Sequence, residues 1–306
     1  DLVRSRGLGD VYKRQILFLA CIGGMGVYRV LHQKLYKSLW VGALLVVIVA
    51  DLFRFGWKFT PFTSEKYFFP ETQVITFLQK QPKPFRVMSL DDRILPPNVS
   101  AYYGIETIEG YDPLAPKRYE ELLAASERGN ADTNTPSGFN RIYTAHNIDS
   151  SVLPYMNVRY VLALGEVKRP FLREVMKEGE TFVYEYTREL PRVYLADYVE
   201  VKPEKETLAS LFASHVSYRG IHDGSVNILN TVLTGDESAE IISYAPNVMT
   251  VRVNAENKRL LVILNRYDKR WKAEIRGAAM TIVPVNYLFM GVAVPSGNHD
   301  IILTYR

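Results

Sequence analysis

The order of apolar and polar positions divides the 306-residue chain into three stretches. Two nearly uninterrupted apolar runs come first, Ile16 to Val30 and Leu39 to Phe53. Neither has an amphipathic polar face, and the second extends to Trp57 with Trp40 and Trp57 at its two ends. Apolar helices of about 20 residues with aromatic rings at their ends cross bilayers. The pattern therefore predicts two transmembrane helices within residues 16–57. The alternative is a pair of buried helices in a soluble protein. Arg29, His32, Lys34 and Lys37 between the runs point to a cytoplasmic loop, which leaves the residues after about 57 extracytoplasmic. Asp51 near the outer end reads as interfacial or paired with Arg54, or else as an intramembrane carboxylate.

From 58 to 190 the periods are mixed and predict an extracytoplasmic α+β module. Residues 58–70 read as a linker. A helix fits Glu71 to Lys80, where Val74, Phe77 and Leu78 share a face and Pro82 and Pro84 stop it. Phe85 to Leu90 suits a strand, and Asp91-Asp92-Arg93 with Pro96-Pro97-Asn98 suits a loop. Pro116 opens a helix to Ala125, with a stripe of Tyr119, Leu122 and Leu123. Residues 126–140 are rich in Gly, Asn, Thr and Ser and predict a loop. Asn157 to Leu164 and Thr181 to Tyr186 suit strands.

From 191 to 306 strands dominate, with one helical interruption near Glu206 to His215. Val248 to Asn254 alternates at period two, Ala255 to Lys258 turns, and Arg259 to Asn265 returns, a hairpin signal. Trp271 to Ile275, Thr281 to Val285, Leu288 to Val294 and Asp300 to Tyr305 continue the series. Short strands with turns between them predict an antiparallel β-sandwich. The fold class is thus α+β: two transmembrane helices, an α+β module, then the sandwich.

Composition narrows the function classes. A net charge of +4 offers no concentrated basic field, so nucleic acid is not a partner. The single cysteine, Cys21, excludes disulfides and cysteine-based metal sites. Residues Ser5 to Gln15 resemble the translation of a transposase-type sequencing adapter, so 1–15 are expected to be non-native. That stretch carries four basic and two acidic residues, and leaving it out lowers the charge from +4 to +2. The remaining chain then starts inside an apolar run, as a gene fragment would.

The search for chemistry finds no nucleophile elbow, phosphate loop or dinucleotide glycine pattern. The five histidines, His32, His146, His215, His222 and His299, have no metal-ligand spacing. Asp91-Asp92 could be an acidic metal motif or loop capping. The stretch Glu109-Gly-Tyr-Asp-Pro-Leu114 joins two carboxylates to an aromatic ring between a strand and a helix, where sites often sit. Sugar binding would use the ring for stacking and the carboxylates for hydroxyls. A structural alternative has Gly110 making a turn and Asp112 capping the next helix. The substrate-binding candidates are Glu109, Tyr111, Asp112, Arg93 and Trp271. For Trp271 a core position competes with a sugar platform. No catalytic residue and no metal ligand is assigned.

Several stretches together resemble the YfhO family of bacterial membrane proteins. They are Asn98 to Leu114 with its Tyr-Gly-Ile and Glu-Gly-Tyr-Asp-Pro-Leu, Met156 to Val161, Leu190-Pro-Arg-Val-Tyr194, and Trp271-Lys-Ala with Pro284-Val-Asn-Tyr287. Phe289, Gly291-Val, Val294-Pro and Gly297-Asn-His299 continue them, and the resemblance spans residues 40–306. Arg276-Gly277 stands where the family has Asp-Gly. The resemblance implies a glycosyltransferase of the GT-C architecture. It would use a polyprenyl-phosphate sugar donor and an envelope glycan or teichoic acid acceptor, with a lipid bilayer as partner. The acidic catalytic residue is expected in an early loop upstream of this chain, so the chain alone is expected to be inactive. A non-enzymatic, membrane-anchored glycan-binding or assembly scaffold is the second reading. A soluble hydrolase lacks any local nucleophile or carboxylate pair.

Overall fold

The structure is a computed structural model, and it describes residues 19–20, 22–29, 37–59, 64, 67–135, 141–213, 217–228 and 233–306. The adapter-like residues 1–15, Cys21, the loop between the apolar runs, and His215 lie outside them. The chain forms two compact units, Asp1–Pro70 and Glu71–Arg306.

In the first unit residues 22–29 are helical, and α1 covers Lys37–Phe59. Among the described residues no helix is long and apolar enough to cross a membrane. This corrects the expectation of two transmembrane helices over 16–57. The reason lies in the charges of α1. Its apolar run from Leu39 stops at Asp51, and Arg54 follows one turn on. At 1.5 Å per residue such a run rises only about 18 Å, against about 30 Å of hydrocarbon.

The second unit begins with α2, Gln73–Gln79, whose N-cap Thr72 accepts from the Ile75 amide. A five-stranded mixed sheet follows, in the order β2-β1-β5-β7-β6. Its strands are β1 (Arg86–Ser89), β2 (Glu106–Thr107), β5 (Val158–Leu164), β6 (Leu172–Glu178) and β7 (Thr181–Tyr186). Both neighbours of β1 run parallel to it, while β5, β7 and β6 pair antiparallel. The sheet is covered on both faces, which is why β5 is apolar at every position but Arg159 rather than alternating. Val87, Tyr160, Leu162 and Val183 pack with Val74, Ile75 and Leu78 of α2. Met88, Val161, Ala163 and Tyr184 pack on the other face with Leu123 and Ala124 of α4, Lys117–Arg128.

Nine further strands form two antiparallel sheets with one shared apolar core. One has the order β11 (Ser238–Ala245), β12, β18 (Gly297–Tyr305), β14 (Trp271–Ile275) and β15 (Ala278–Met280), and the other the order β16 (Ile282–Val285), β17 (Phe289–Val294), β13 and β8 (Val193–Leu195). β12 (Val248–Ala255) keeps its strict alternation, sending Met249, Val251 and Val253 into that core opposite Leu261 and Ile263 of β13 (Arg259–Arg266). β13 instead has apolar residues on both sides. Leu260, Val262 and Leu264 face a second core, with Leu122 and Ala125 of α4 and Leu208 and Leu211 of α5, Glu204–Ala213. Helix α4 therefore belongs to two cores at once, through Leu122 and Leu123 on adjacent turn positions.

Candidate functional site

The parallel part of the first sheet creates a topological switch at β1. From β1 the chain passes through Leu95, α3 (Val99–Tyr102) and Tyr103 to β2 on one side. It then passes through α4 to β5 on the other side. Leu95, Tyr103 and Ile105 of the first connection pack in the α2-side core, and α4 packs in the opposite one. The two connections diverge from the carboxyl end of β1, the place where open parallel sheets leave a crevice for ligands.

Glu109 sits at this end. It lies two residues beyond β2, is only 8% exposed, and accepts from the Ser89 amide at the last position of β1 at 2.8 Å. Burial, with the Asp92 carboxylate adding to it, pushes the Glu109 pKa up to about 8 despite that hydrogen bond. Near neutral pH the group is mostly a neutral acid and can donate as well as accept. No cation pairs with it among the described residues.

The next residues fan outward. Gly110 and Tyr111 form β3, which pairs with β4, Ile142–Tyr143. Gly110 is required by closeness rather than by a turn, because an added Cβ would overlap the Tyr143 ring. Tyr111 is 47% exposed. Its backbone is gripped from both sides by the Asn98 side chain: Asn98 Nδ2 donates to Tyr111 O at 2.6 Å and Asn98 Oδ1 accepts from Tyr111 N at 3.0 Å. Asn98 itself has φ of 70°, a left-handed conformation that asparagine tolerates. Asp112 accepts from the Leu114 amide at 2.8 Å, while Pro116 is the residue that begins α4. It therefore orders its own turn and does not cap the helix.

The loop after β1 adds further charged groups. Arg93 forks onto Asp91 with contacts of 2.9 and 2.7 Å, and that bond holds the Asp91 pKa down to about 2. Asp92 lies 3.7 Å from His146 Nε2. His146 is positioned by Glu127 at the end of α4, which accepts from the His146 and Asn147 amides. Glu109, Tyr111, Asp112 and Arg93 thus share one region of the fold. His146 and Asn98 were not among the sequence candidates, since their link to it depends on contacts 13 and more residues apart. Among the described residues no three His, Cys, Asp or Glu side chains are grouped to hold a metal ion.

Residues 231–306 match the model of a family described as bacterial membrane protein YfhO. The C-terminal segment is of the YfhO family. No curated protein and no solved structure matches the chain. The match supports a membrane-associated role. Within the YfhO segment Trp271 is 9% exposed and packs in the core between the two sheets, its ring 5.3 Å from that of Tyr305. It stands in a different core from the Glu109 region. Asn286, in the Pro-Val-Asn-Tyr stretch, is fully buried and left-handed at φ of 48°. It accepts from the Ile221 amide at 2.8 Å and donates to Tyr194 Oη and Arg219 O at 3.1 and 2.9 Å. The conspicuous YfhO residues of this segment therefore serve packing.

Proposed function

We propose that the chain is the glycan-binding, extracytoplasmic part of a membrane-associated bacterial envelope protein. In this reading the parent uses a polyprenyl-phosphate sugar as donor, and an envelope glycan or teichoic acid is the acceptor held here. The carrying observation is the stretch at the carboxyl edge of β1, where the buried Glu109, held by the Ser89 amide and with Asp92 as its charged neighbour, is followed within three residues by the exposed Tyr111 and by Asp112. Sugar rings present C–H faces that stack on aromatics, and hydroxyls that both donate and accept. A neutral carboxylic acid satisfies a hydroxyl oxygen, and the rim carboxylates satisfy hydroxyl protons. Arg93 acts by fixing the Asp91 turn rather than by contacting ligand.

The second reading is a glycan-binding scaffold without chemistry. It is favoured by the engagement of the rim groups, since Asp91 is tied to Arg93 and Asp112 to a backbone amide. Such groups serve hydrogen bonding better than proton transfer. Titrating the whole chain with envelope polysaccharide fragments tests the shared part of both readings. Binding is expected to fall at least about tenfold in Tyr111→Ala, a loss of about 1.4 kcal/mol. Unchanged binding in both Tyr111→Ala and Glu109→Ala would remove the site from either reading. Labelled sugar transfer from a polyprenyl-phosphate donor then separates enzyme from scaffold.

A further inference from the structure

A second cleft lies in the strand-rich half, at the end of the β16-β17-β13-β8 sheet. Its wall residues come from four separate turns: Asn227 after β10 (Arg219–His222), Lys258 between β12 and β13, Thr281 before β16 (Ile282–Val285), and Ser296 after β17 (Phe289–Val294). Val226 and Ala293 also line it, both half-buried. The register explains the convergence. Leu260 pairs with Ala293 and Ile282 pairs with Val292, so Lys258, Thr281 and Ser296 fall at one end of the sheet. The cleft is an open one of about 540 Å³, within the usual size range for small-molecule sites.

The charge at the cleft comes from one residue. Arg259, next in sequence, is turned inward and neutralised by Glu237, with contacts of 2.7 and 2.5 Å. Asp223 is turned onto the Ser225 amide at 3.0 Å. Lys258 is exposed and makes no ion pair among the described residues. A single ammonium, the three hydroxyls of Ser225, Thr281 and Ser296, and an amide around a small apolar floor suit one kind of ligand. It carries an anionic group for Lys258, hydroxyls for Asn227, Thr281 and Ser296, and a C–H face for Val226 and Ala293.

We infer that this cleft binds a phosphorylated sugar or polyol through Lys258. The site is independent of the Glu109 region and differs from it in sign: one is rimmed by carboxylates and the other presents a cation. Contact with an exposed ammonium is screened by salt, so affinity falls with ionic strength. Glucose 6-phosphate, glucose and inorganic phosphate, titrated separately into the whole chain and followed by NMR shifts, test the inference. Glucose 6-phosphate is expected to bind at least about tenfold more tightly than either glucose or phosphate. Lys258→Ala should abolish that preference and Lys258→Arg should retain most of it. Tyr111→Ala should leave it intact, which separates this cleft from the glycan site. Equal binding of all three probes, no binding, or a preference that survives Lys258→Ala would overturn the inference.

Discussion

The two halves of the second unit bury polar side chains in opposite ways. In the strand-rich half each buried charge meets its complement. Arg259 and Glu237 fork together, and Glu237 also accepts from the Thr234 and Glu256 amides. In the α+β half, Glu109 is buried against a backbone amide, with another carboxylate as its charged neighbour. Burying a charge is tolerable when a partner and hydrogen bonds replace water, and otherwise the group neutralises. Comparable burial therefore yields a clamp in one half and a perturbed acid in the other. A third arrangement joins them. Arg192, its side chain 2% exposed, donates to Asn157, Asn265 and Tyr244 and pairs with Glu106 of β2 at 2.8 Å. The Leu-Pro-Arg stretch is thus the fastening between the halves.

The largest expected effect falls on the clamp. Arg259→Ala leaves Glu237 buried without its cation and should lower unfolding free energy by about 3–5 kcal/mol, read from denaturant titration. Glu237 also makes the clamp acid-sensitive. Its pKa is held near 2 by the Arg259 bond, below the ordinary 4.5. A depressed carboxylate contributes stability above its unfolded value, and that contribution is lost as pH falls from about 4.5 through about 2. Glu237→Gln should flatten the stability profile in that window.

Next comes the fastening. Arg192→Ala should cost about 3 kcal/mol, somewhat less than the clamp because Arg86 remains 3.5 Å from Glu106. Two separated melting transitions in place of one would show that Arg192 couples the halves and does not merely stabilise one.

The acid at β1 should respond to pH in the opposite direction from Glu237. Its folded pKa is about 8, above the ordinary 4.5. The stability associated with the neutral form is fully present below about 4.5 and is lost as pH rises through about 8. Glu109→Gln should remove that alkaline decline. A wild-type profile that is flat between these values, measured by thermal melts, would contradict an uncompensated acid. The smallest stability effect is expected at Tyr111, where Tyr111→Ala should stay within about 0.5 kcal/mol because the ring is largely on the surface.

Local patterns were legible in the sequence and remote pairings were not. The alternation of Val248 to Asn254 corresponds to β12, because period two is a property of adjacent residues, but the expected hairpin does not form: β12 pairs with β11 and β18, while β13 crosses to the other sheet and pairs with β17 and β8. β6 escaped notice, since Arg173, Glu174, Lys177 and Glu178 break the apolar pattern at a sheet edge, where charge discourages further pairing. The parallel pairing of β1 with β5 joins residues some 70 positions apart, and nothing local signals it. The candidates Glu109, Tyr111 and Asp112 were visible as a motif, whereas their place at the carboxyl end of β1 depends on that pairing. The apolar run at Leu39 looked like a bilayer span because its length was counted past Asp51 and Arg54.

The central claim is that the carboxyl edge of β1 is a glycan site, and calorimetric titration of the whole chain with envelope oligosaccharide tests it most directly. Binding to wild type, with loss in both Tyr111→Ala and Glu109→Ala while both variants still melt cooperatively at pH 5, is the predicted result. Binding that persists in both variants would contradict the claim.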